Sequence, residues 1–337
     1  MSELRQRLDT GEWVIMAPER LEGKKQLKTS NSLQSEYPVY DKKCPFCKGN
    51  EDRFSVIEID RIACNTEKEW AVRCIENKFQ IFSNHDPIPN EKGFIQDGIY
   101  YKYTRAGNHE LIIESSEHNK TFATMSEIEV LNVVKMYVQR YKELDDGKNL
   151  KTVMFKNHGA GSGASQRHPH SQVVSMMVVP GYVRLLLMDA MNYFDRHGEC
   201  VYCKMLKYEL NFCKRIIYEN DNFVAYTPYA SETPFGIEIY PKKHQAGLDQ
   251  ISDLEMISFS DCLRKVLKKL YIALSNVDYN LVFRNPPYSL SNSLYYHWHL
   301  KIIPRLMVPG GFELGSNMSV NVVTPEKAAS ILNEVKV

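Results

Sequence analysis

The chain has 337 residues, 43% of them hydrophobic, with 42 lysines and arginines against 41 aspartates and glutamates, enough for one large domain or two ordinary ones with a substantial core. The near balance of charge excludes a broad basic surface for nucleic acid and a polybasic membrane anchor, and leaves room only for a local basic pocket. No uninterrupted apolar run approaches the roughly 20 residues of a membrane span, and Met1-Ser2-Glu3-Leu4-Arg5-Gln6-Arg7 carries no apolar signal core, so a cytoplasmic protein with no membrane partner is expected.

In chain order, Trp13-Val14-Ile15-Met16 reads as a short strand closed by Pro18, and the Lys/Gln/Ser/Asn-rich stretch after it as a loop. Cys44-Pro45-Phe46-Cys47-Lys48-Gly49-Asn50 is a Cys-x-x-Cys pair in a knuckle-like turn. His109-Glu110-Leu111-Ile112-Ile113-Glu114 alternates like a strand and leads to His118. Ser126-Glu127-Ile128-Glu129 is a capping box, and Ile128, Leu131, Val134, Val138 and Tyr141 recur at helical spacing down to Asp145-Asp146-Gly147, as a core-facing stripe.

A strand at 152–155 then runs into the Gly-rich segment 157–165, and His168-Pro169-His170-Ser171-Gln172 opens an apolar run at 173–179. Strand alternation predicts His168, His170 and Gln172 on one face. The glycines before them allow backbone N–H groups to approach an anion without Cβ interference, and imidazoles beside such a cradle point to phosphoryl or nucleotidyl chemistry.

The second half follows the same plan. Cys200-Val201-Tyr202-Cys203 answers the first cysteine pair, and Phe235-Gly236-Ile237-Glu238-Ile239-Tyr240 is a strand leading to His244. Ser252-Asp253-Leu254-Glu255 opens another capped helix, with Leu254, Ile257, Leu263, Val266, Leu267, Leu270 and Leu274 at helical spacing. Residues 280–284 form a strand, and Tyr296-His297-Trp298-His299-Leu300-Lys301 stands where the His-Pro-His strand stood. A duplication with helices beside antiparallel strands predicts an α+β fold of two tandem modules, 1–195 and 196–337, divided near the helix end Asp195-Arg196-His197-Gly198.

The segment from Asn157 to Gln172 resembles the active-site loop of the galactose-1-phosphate uridylyltransferase family, a branch of the histidine triad superfamily whose motif is His-Pro-His-x-Gln after a Gly/Ser loop. Cys44 to Asn50, Asn77-Lys78-Phe79 and Gly310-Gly311-Phe312-Glu313-Leu314-Gly315 are similar to other family segments, so the resemblance spans nearly the whole chain. It implies two histidine-triad-like modules whose half-barrels join in one larger sheet, the N-terminal one catalytic and the C-terminal one silent. Family members are commonly homodimers.

The resemblance further implies that His170 attacks the α-phosphorus of a nucleotide sugar to give a nucleotidyl-histidine intermediate, its tautomer fixed by the carbonyl of His168. Gln172 would donate to a phosphoryl oxygen; the superfamily's hydrolases carry a third histidine there, so an amide favours transfer over hydrolysis. Ser165 and the N–H groups around Gly163 would hold the β-phosphate, and Asn77 and Asn157 would contact nucleoside or phosphate. Phe46 would stack near the base, Arg20 would lie near the phosphates, and Glu313 would hold sugar hydroxyls. Gly23 replaces the family's second arginine, and Met307 and Ser319 stand where some uridylyltransferases have a lysine and a glutamine.

The implied reaction is UDP-glucose plus galactose 1-phosphate giving UDP-galactose plus glucose 1-phosphate. The alternative is the very similar ADP-glucose phosphorylase branch, with adenylyl transfer and phosphate as acceptor. A non-catalytic zinc-stabilised nucleotide-binding protein is a further reading, against which His170 and Gln172 on one strand argue.

A Cys-x-x-Cys turn places two thiolates on one cation, and structural zinc then needs two more N or S ligands. The candidates are Cys44, Cys47, His118 and His168 in the first half and Cys200, Cys203, His244 and His297 in the second, at equivalent places in the repeat. Two structural zinc ions are expected. The competing readings are a redox pair or buried small residues; a redox pair normally opens a helix, whereas Cys44 begins a turn.

Overall fold

The structure, a computed structural model, describes residues 1–22, 37–64, 69–82, 94–103, 107–145 and 150–337. Gly23, the polar loop after it and Asp146-Gly147 lie outside the described residues. The first half contains β1 (Glu3–Gln6), β2 (Trp13–Met16), the short α1 (Glu19–Glu22) and α2 (Glu51–Phe54), β3 (Glu58–Ala63) and β4 (Trp70–Glu76). The hairpin β5 (Phe94–Asp97) and β6 (Tyr100–Tyr103), then β7 (Gly107–Ile113), α3 (Glu127–Glu143), β8 (Lys151–His158) and β9 (His170–Met176) complete it. The second half runs through α4 (Gly181–His197), α5 (Val201–Phe212), β10 (Ile216–Glu219), β11 (Phe223–Tyr226), β12 (Ile237–Pro241), α6 (Asp253–Ala273), β13 (Tyr279–Arg284) and β14 (His299–Pro304). It closes with α7 (Gly311–Ser316), β15 (Val320–Asn321) and α8 (Pro325–Glu334).

The fold is α+β. One ten-stranded antiparallel sheet takes the order β10-β11-β12-β14-β13-β8-β9-β7-β4-β3. From its centre outward each half repeats the same succession, so the duplication read from sequence is an approximate two-fold in space. The seam is the pair β8 and β13, with Tyr279 opposite His158, Asn280 opposite Asn157 and Leu281 opposite Lys156.

Both helices predicted from capping boxes form with those boxes intact, Ser126 with Glu129 on α3 and Ser252 with Glu255 on α6. They pack together over one face of the sheet, in a core that includes Val133, Tyr137, Phe259, Leu263 and Leu270. The expected stripes are shifted at their starts: Ile128, Leu254 and Ile257 are exposed, and Val130, Met256 and Phe259 are buried in their place. A 3.6-residue period fits two neighbouring stripes equally well, and the packing of α3 against α6 selects between them.

The other face of the sheet is covered too, which is why β7 and β12 are buried almost throughout instead of alternating. In the first half the cover is the turn around Cys44, Phe46 and Cys47. In the second half α4 and α5 seat Leu187, Val201, Tyr202 and Leu206 on Val224, Tyr226, Tyr240 and Tyr296. α4 ends as predicted, with Gly198 in the left-handed conformation at φ +69°, and the 195/196 division falls in its last turn. No described helix is long and apolar enough to cross a membrane.

Candidate active site and metal centres

Strand β9 begins at His170, so His168 precedes the regular alternation and only His170 and Gln172 share the strand face predicted for all three. The His168 ring turns instead toward the cysteine pair, and its carbonyl accepts the Nδ1–H of His170 at 2.9 Å. That bond puts the imidazole proton on Nδ1 and leaves Nε2 of His170 with its lone pair. Burial first, and the nearby Lys156 cation second, hold this imidazole below its ordinary value of 6.5. Phe46, buried, sets its ring 5.4 Å from that of His170.

Beneath β9 lies a charged network that sequence reasoning did not find. Lys156 Nζ donates to Glu114 Oε2 at 2.6 Å and to the His170 carbonyl at 3.1 Å. Glu114 also accepts from the hydroxyls of Tyr137 and Ser171, while its N–H donates to the Pro169 carbonyl. Lys156 and Glu114 are 2% and 1% exposed, so removing one would leave an uncompensated buried charge directly under the histidine strand. The available signal was a charge directly after each of two short apolar runs, Glu114 after Leu111–Ile113 and Lys156 after Val153–Phe155.

Gln172 is oriented by a residue the sequence reading also passed over. Ile81 N–H donates to His109 Nδ1 at 3.2 Å, so the ring carries its proton on Nε2 and donates it to Gln172 Oε1 at 2.9 Å. Burial lowers the His109 pKa and keeps the ring neutral. With Oε1 engaged, the Gln172 amide N–H groups have no acceptor among the described residues. Asn77 Nδ2 sits against the same His109 ring, 3.1 Å from Nε2, rather than lining the cavity.

A cavity of about 420 Å³ opens beside His170, walled by Lys120, Lys156, Arg167 and, from the Gly-rich segment, Asn157, Gly159, Ala160, Ala164 and Ser165. Gly159 and Gly163, at φ +80° and +88°, take left-handed conformations that let the loop close into a tight turn over Ala160–Ser162. In that turn the N–H of Gly163 goes to the Ala160 carbonyl and that of Ala164 to the Gly159 carbonyl. The amides of Gly163 and Ala164 are thus engaged within the loop itself, whereas the N–H groups of Ser165 and Gln166 have no acceptor among the described residues. Arg20 is exposed on α1, and Glu313 caps α7 by accepting the Gly310 N–H at 2.8 Å; neither lines this cavity.

Two Cys/His groups have the donor chemistry of metal sites. The ligand atoms of Cys44, Cys47, His118 and His168 lie within 4.8 Å of one another, all four residues buried. Backbone N–H groups of Asp41 and Phe46 point at the two sulfurs, and His168 Nε2–H donates to the Ser115 carbonyl, which turns Nδ1 toward the thiols. Burial pushes the Cys44 thiol up to about 12, so a thiolate at Cys44 calls for a cation beside it. Cys200, Cys203 and His244 form the second group, with His297 Nδ1 3.4 Å from Cys203 Sγ. Here Cys200 caps α5, a helix start that the first pair lacks, and its thiol falls to about 5 through hydrogen bonds from Cys203 and His244.

A duplicated sheet that sets one neutral imidazole at the border of a polar cavity has the construction of a nucleotidyltransferase. The chain belongs to the galactose-1-phosphate uridylyltransferase family: residues 1–180 match the family described as galactose-1-phosphate uridyl transferase, N-terminal domain. It is 30% identical to the ADP-glucose phosphorylase of Arabidopsis thaliana over 336 residues, covering 99% of this chain and 93% of that one. It is 26% identical to the galactose-1-phosphate uridylyltransferase of Thermotoga maritima, covering 100% and 99%. The crystal structure of an Arabidopsis thaliana ADP-glucose phosphorylase with bound ADP-glucose aligns at a TM-score of 0.83 and 28% identity, covering 100% of this chain and 99% of that one.

Proposed function

We propose that the chain moves a nucleotidyl group from a nucleotide sugar to a phosphate-bearing acceptor by double displacement at His170. The observation that carries this is the bond from His170 Nδ1 to the His168 carbonyl, which leaves the lone pair of Nε2 free on an imidazole that borders the cavity. Nε2 attacks the α-phosphorus, the P–O bond to the sugar phosphate breaks, and hexose 1-phosphate leaves; an acceptor phosphate oxygen then displaces the histidine. Gln172, held by His109, donates an amide N–H to a non-bridging oxygen as charge develops there. Lys156 and Lys120 stand at the wall, each paired to a carboxylate, Glu114 and Glu129.

Zinc at both Cys/His groups completes the proposal. Four protein ligands leave no open position, so each ion is structural. The first fixes His168, whose carbonyl orients His170. In this reading the module that carries His170 is catalytic and the one that carries His299 its silent counterpart, the expected division into 1–195 and 196–337 falling inside α4, which packs with the second half. Arg20 and Glu313 are exposed and outside this cavity, and their contacts with substrate phosphate and sugar, like the homodimer, are parts of the proposal that rest on the family resemblance. A reducing, cytoplasmic setting suits the free cysteines.

The first donor and acceptor pair is UDP-glucose with galactose 1-phosphate. A second, ADP-glucose with phosphate, is favoured by a specific observation: identity is 30% to the ADP-glucose phosphorylase against 26% to the Thermotoga uridylyltransferase. Incubation with each radiolabelled nucleotide sugar separately decides between them. Acid-labile label on protein from one donor, absent in His170→Gly, supports the mechanism and names the base; no label from either ends it.

A further inference from the structure

The Gly-rich loop is held from the second half of the chain, and one of the groups holding it bears the charge of the ligand expected there. Asp278, just before β13, is half-buried at the cavity wall, and its Oδ2 accepts the Gly161 N–H at 2.6 Å. A Cβ at Gly159 would stand 1.7 Å from Asp278 Oδ1, and one at Gly161 2.7 Å from Oδ2, so these glycines are the space the carboxylate occupies. The main chain of Asp278 is fixed by the Arg305 N–H, donated to its carbonyl at 2.7 Å. Beside it Asn280 Nδ2 donates to Asn157 Oδ1 at 2.7 Å and to the Ser162 carbonyl at 3.0 Å.

A phosphate approaching the 159–161 end of the loop therefore meets a like charge and finds the Gly161 N–H already engaged, because the loop carries its own anion. At the other end it meets the unengaged amides of Ser165 and Gln166 on the side of His170. We propose that Asp278 is a specificity-determining residue that denies the Gly159–Gly161 arc to substrate phosphate and confines the diphosphate to the Ser165 end, within reach of His170. This rests on the reading of the cavity as a nucleotide-sugar site. The consequence is one phosphate register: without Asp278, a diphosphate gains a second seat on the loop that is out of line with the nucleophile.

The test is calorimetric titration of the zinc-loaded full chain with inorganic pyrophosphate, for wild type, Asp278→Ala and Asp278→Asn, alongside thermal melting and steady-state transfer. Asp278→Ala should bind pyrophosphate about tenfold or more tightly, the scale of one recovered hydrogen bond and one removed repulsion. Its kcat for nucleotide sugar should fall together with KM, the mark of a tighter but unproductive register. Asp278→Asn keeps an acceptor for Gly161 without the charge and should lie between; it decides the matter if Asp278→Ala does not fold. Unchanged or weaker pyrophosphate binding in the folded variants overturns the proposal and leaves Asp278 a brace. If wild type takes no label from either nucleotide sugar the transfer mechanism falls, while the calorimetric comparison still rules on Asp278.

Discussion

His170 and His299 occupy equivalent places in the two halves of one sheet, and both donate Nδ1–H to the carbonyl of a histidine two residues earlier, at 2.9 and 3.1 Å. Both of those earlier histidines face a cysteine sulfur, His168 at 3.6 Å from Cys47 and His297 at 3.4 Å from Cys203. The surroundings differ. His170 borders the cavity beneath the Gly-rich loop, whereas His299 is stacked on Tyr240 at 4.6 Å and flanked by Tyr202 at 5.4 Å. Where Gln172 follows His170, Lys301 follows His299 and is paired to Glu232. The chain before His299 is Pro286-Pro287 and a short turn at Tyr288–Leu290, which form no anion loop. The backbone device sets a tautomer; reactivity comes only where the fold also leaves room for a substrate.

The sharpest way to break this comparison is to remove each ring. His170→Gly should keep both metal ions yet lose transfer by about a thousandfold or more, and added imidazole should partly refill the vacated space and act as nucleophile. His299→Ala should keep transfer within a few-fold while its melting temperature drops, since a buried ring lost from an aromatic stack costs about 3 kcal/mol. Equal losses of activity from the two variants would abolish the asymmetry. Replacing a ligand comes next in size. Elemental analysis of wild type should give close to two zinc ions per chain, and Cys47→Ser and Cys203→Ser should each lose one and melt earlier. Only Cys47→Ser should also lower kcat in the cold, because its metal group includes His168.

Smaller effects sharpen the picture of the half that carries His170. His109→Phe should lower kcat about ten- to a hundredfold with KM nearly unchanged, by freeing the Gln172 amide to rotate; His109→Gln, which keeps a donor, should recover part of it. Full activity in His109→Phe would show that Gln172 needs no such hold. The least of the four is a shift in pH profile. Burial and Lys156 disfavour the imidazolium of His170, so the acid limb of kcat/KM should lie below 6.5, activity persisting as pH falls until protons reach that lowered value. Lys156→Gln removes a repelling cation and exposes the imidazole to Glu114, both of which raise the His170 pKa and move the limb toward higher pH.

The sequence by itself determined whatever depends on neighbours a few residues apart. The two capping boxes, the Cys-x-x-Cys spacings and the bond from each second histidine to the carbonyl two residues before it are local, and the repetition of these motifs made the ligand sets recognisable. Tertiary structure decided what depends on register across the sheet. Lys156 meets Glu114, His109 meets Gln172 and Asp278 enters the Gly-rich loop because strands 42 to 117 residues apart in sequence are aligned side by side. It also decided which of two adjacent helical stripes is buried, and which His-x-His strand faces a cavity. A periodic pattern specifies that a face will be covered; the packed partner determines which atoms cover it, and no spacing along the chain carries that information.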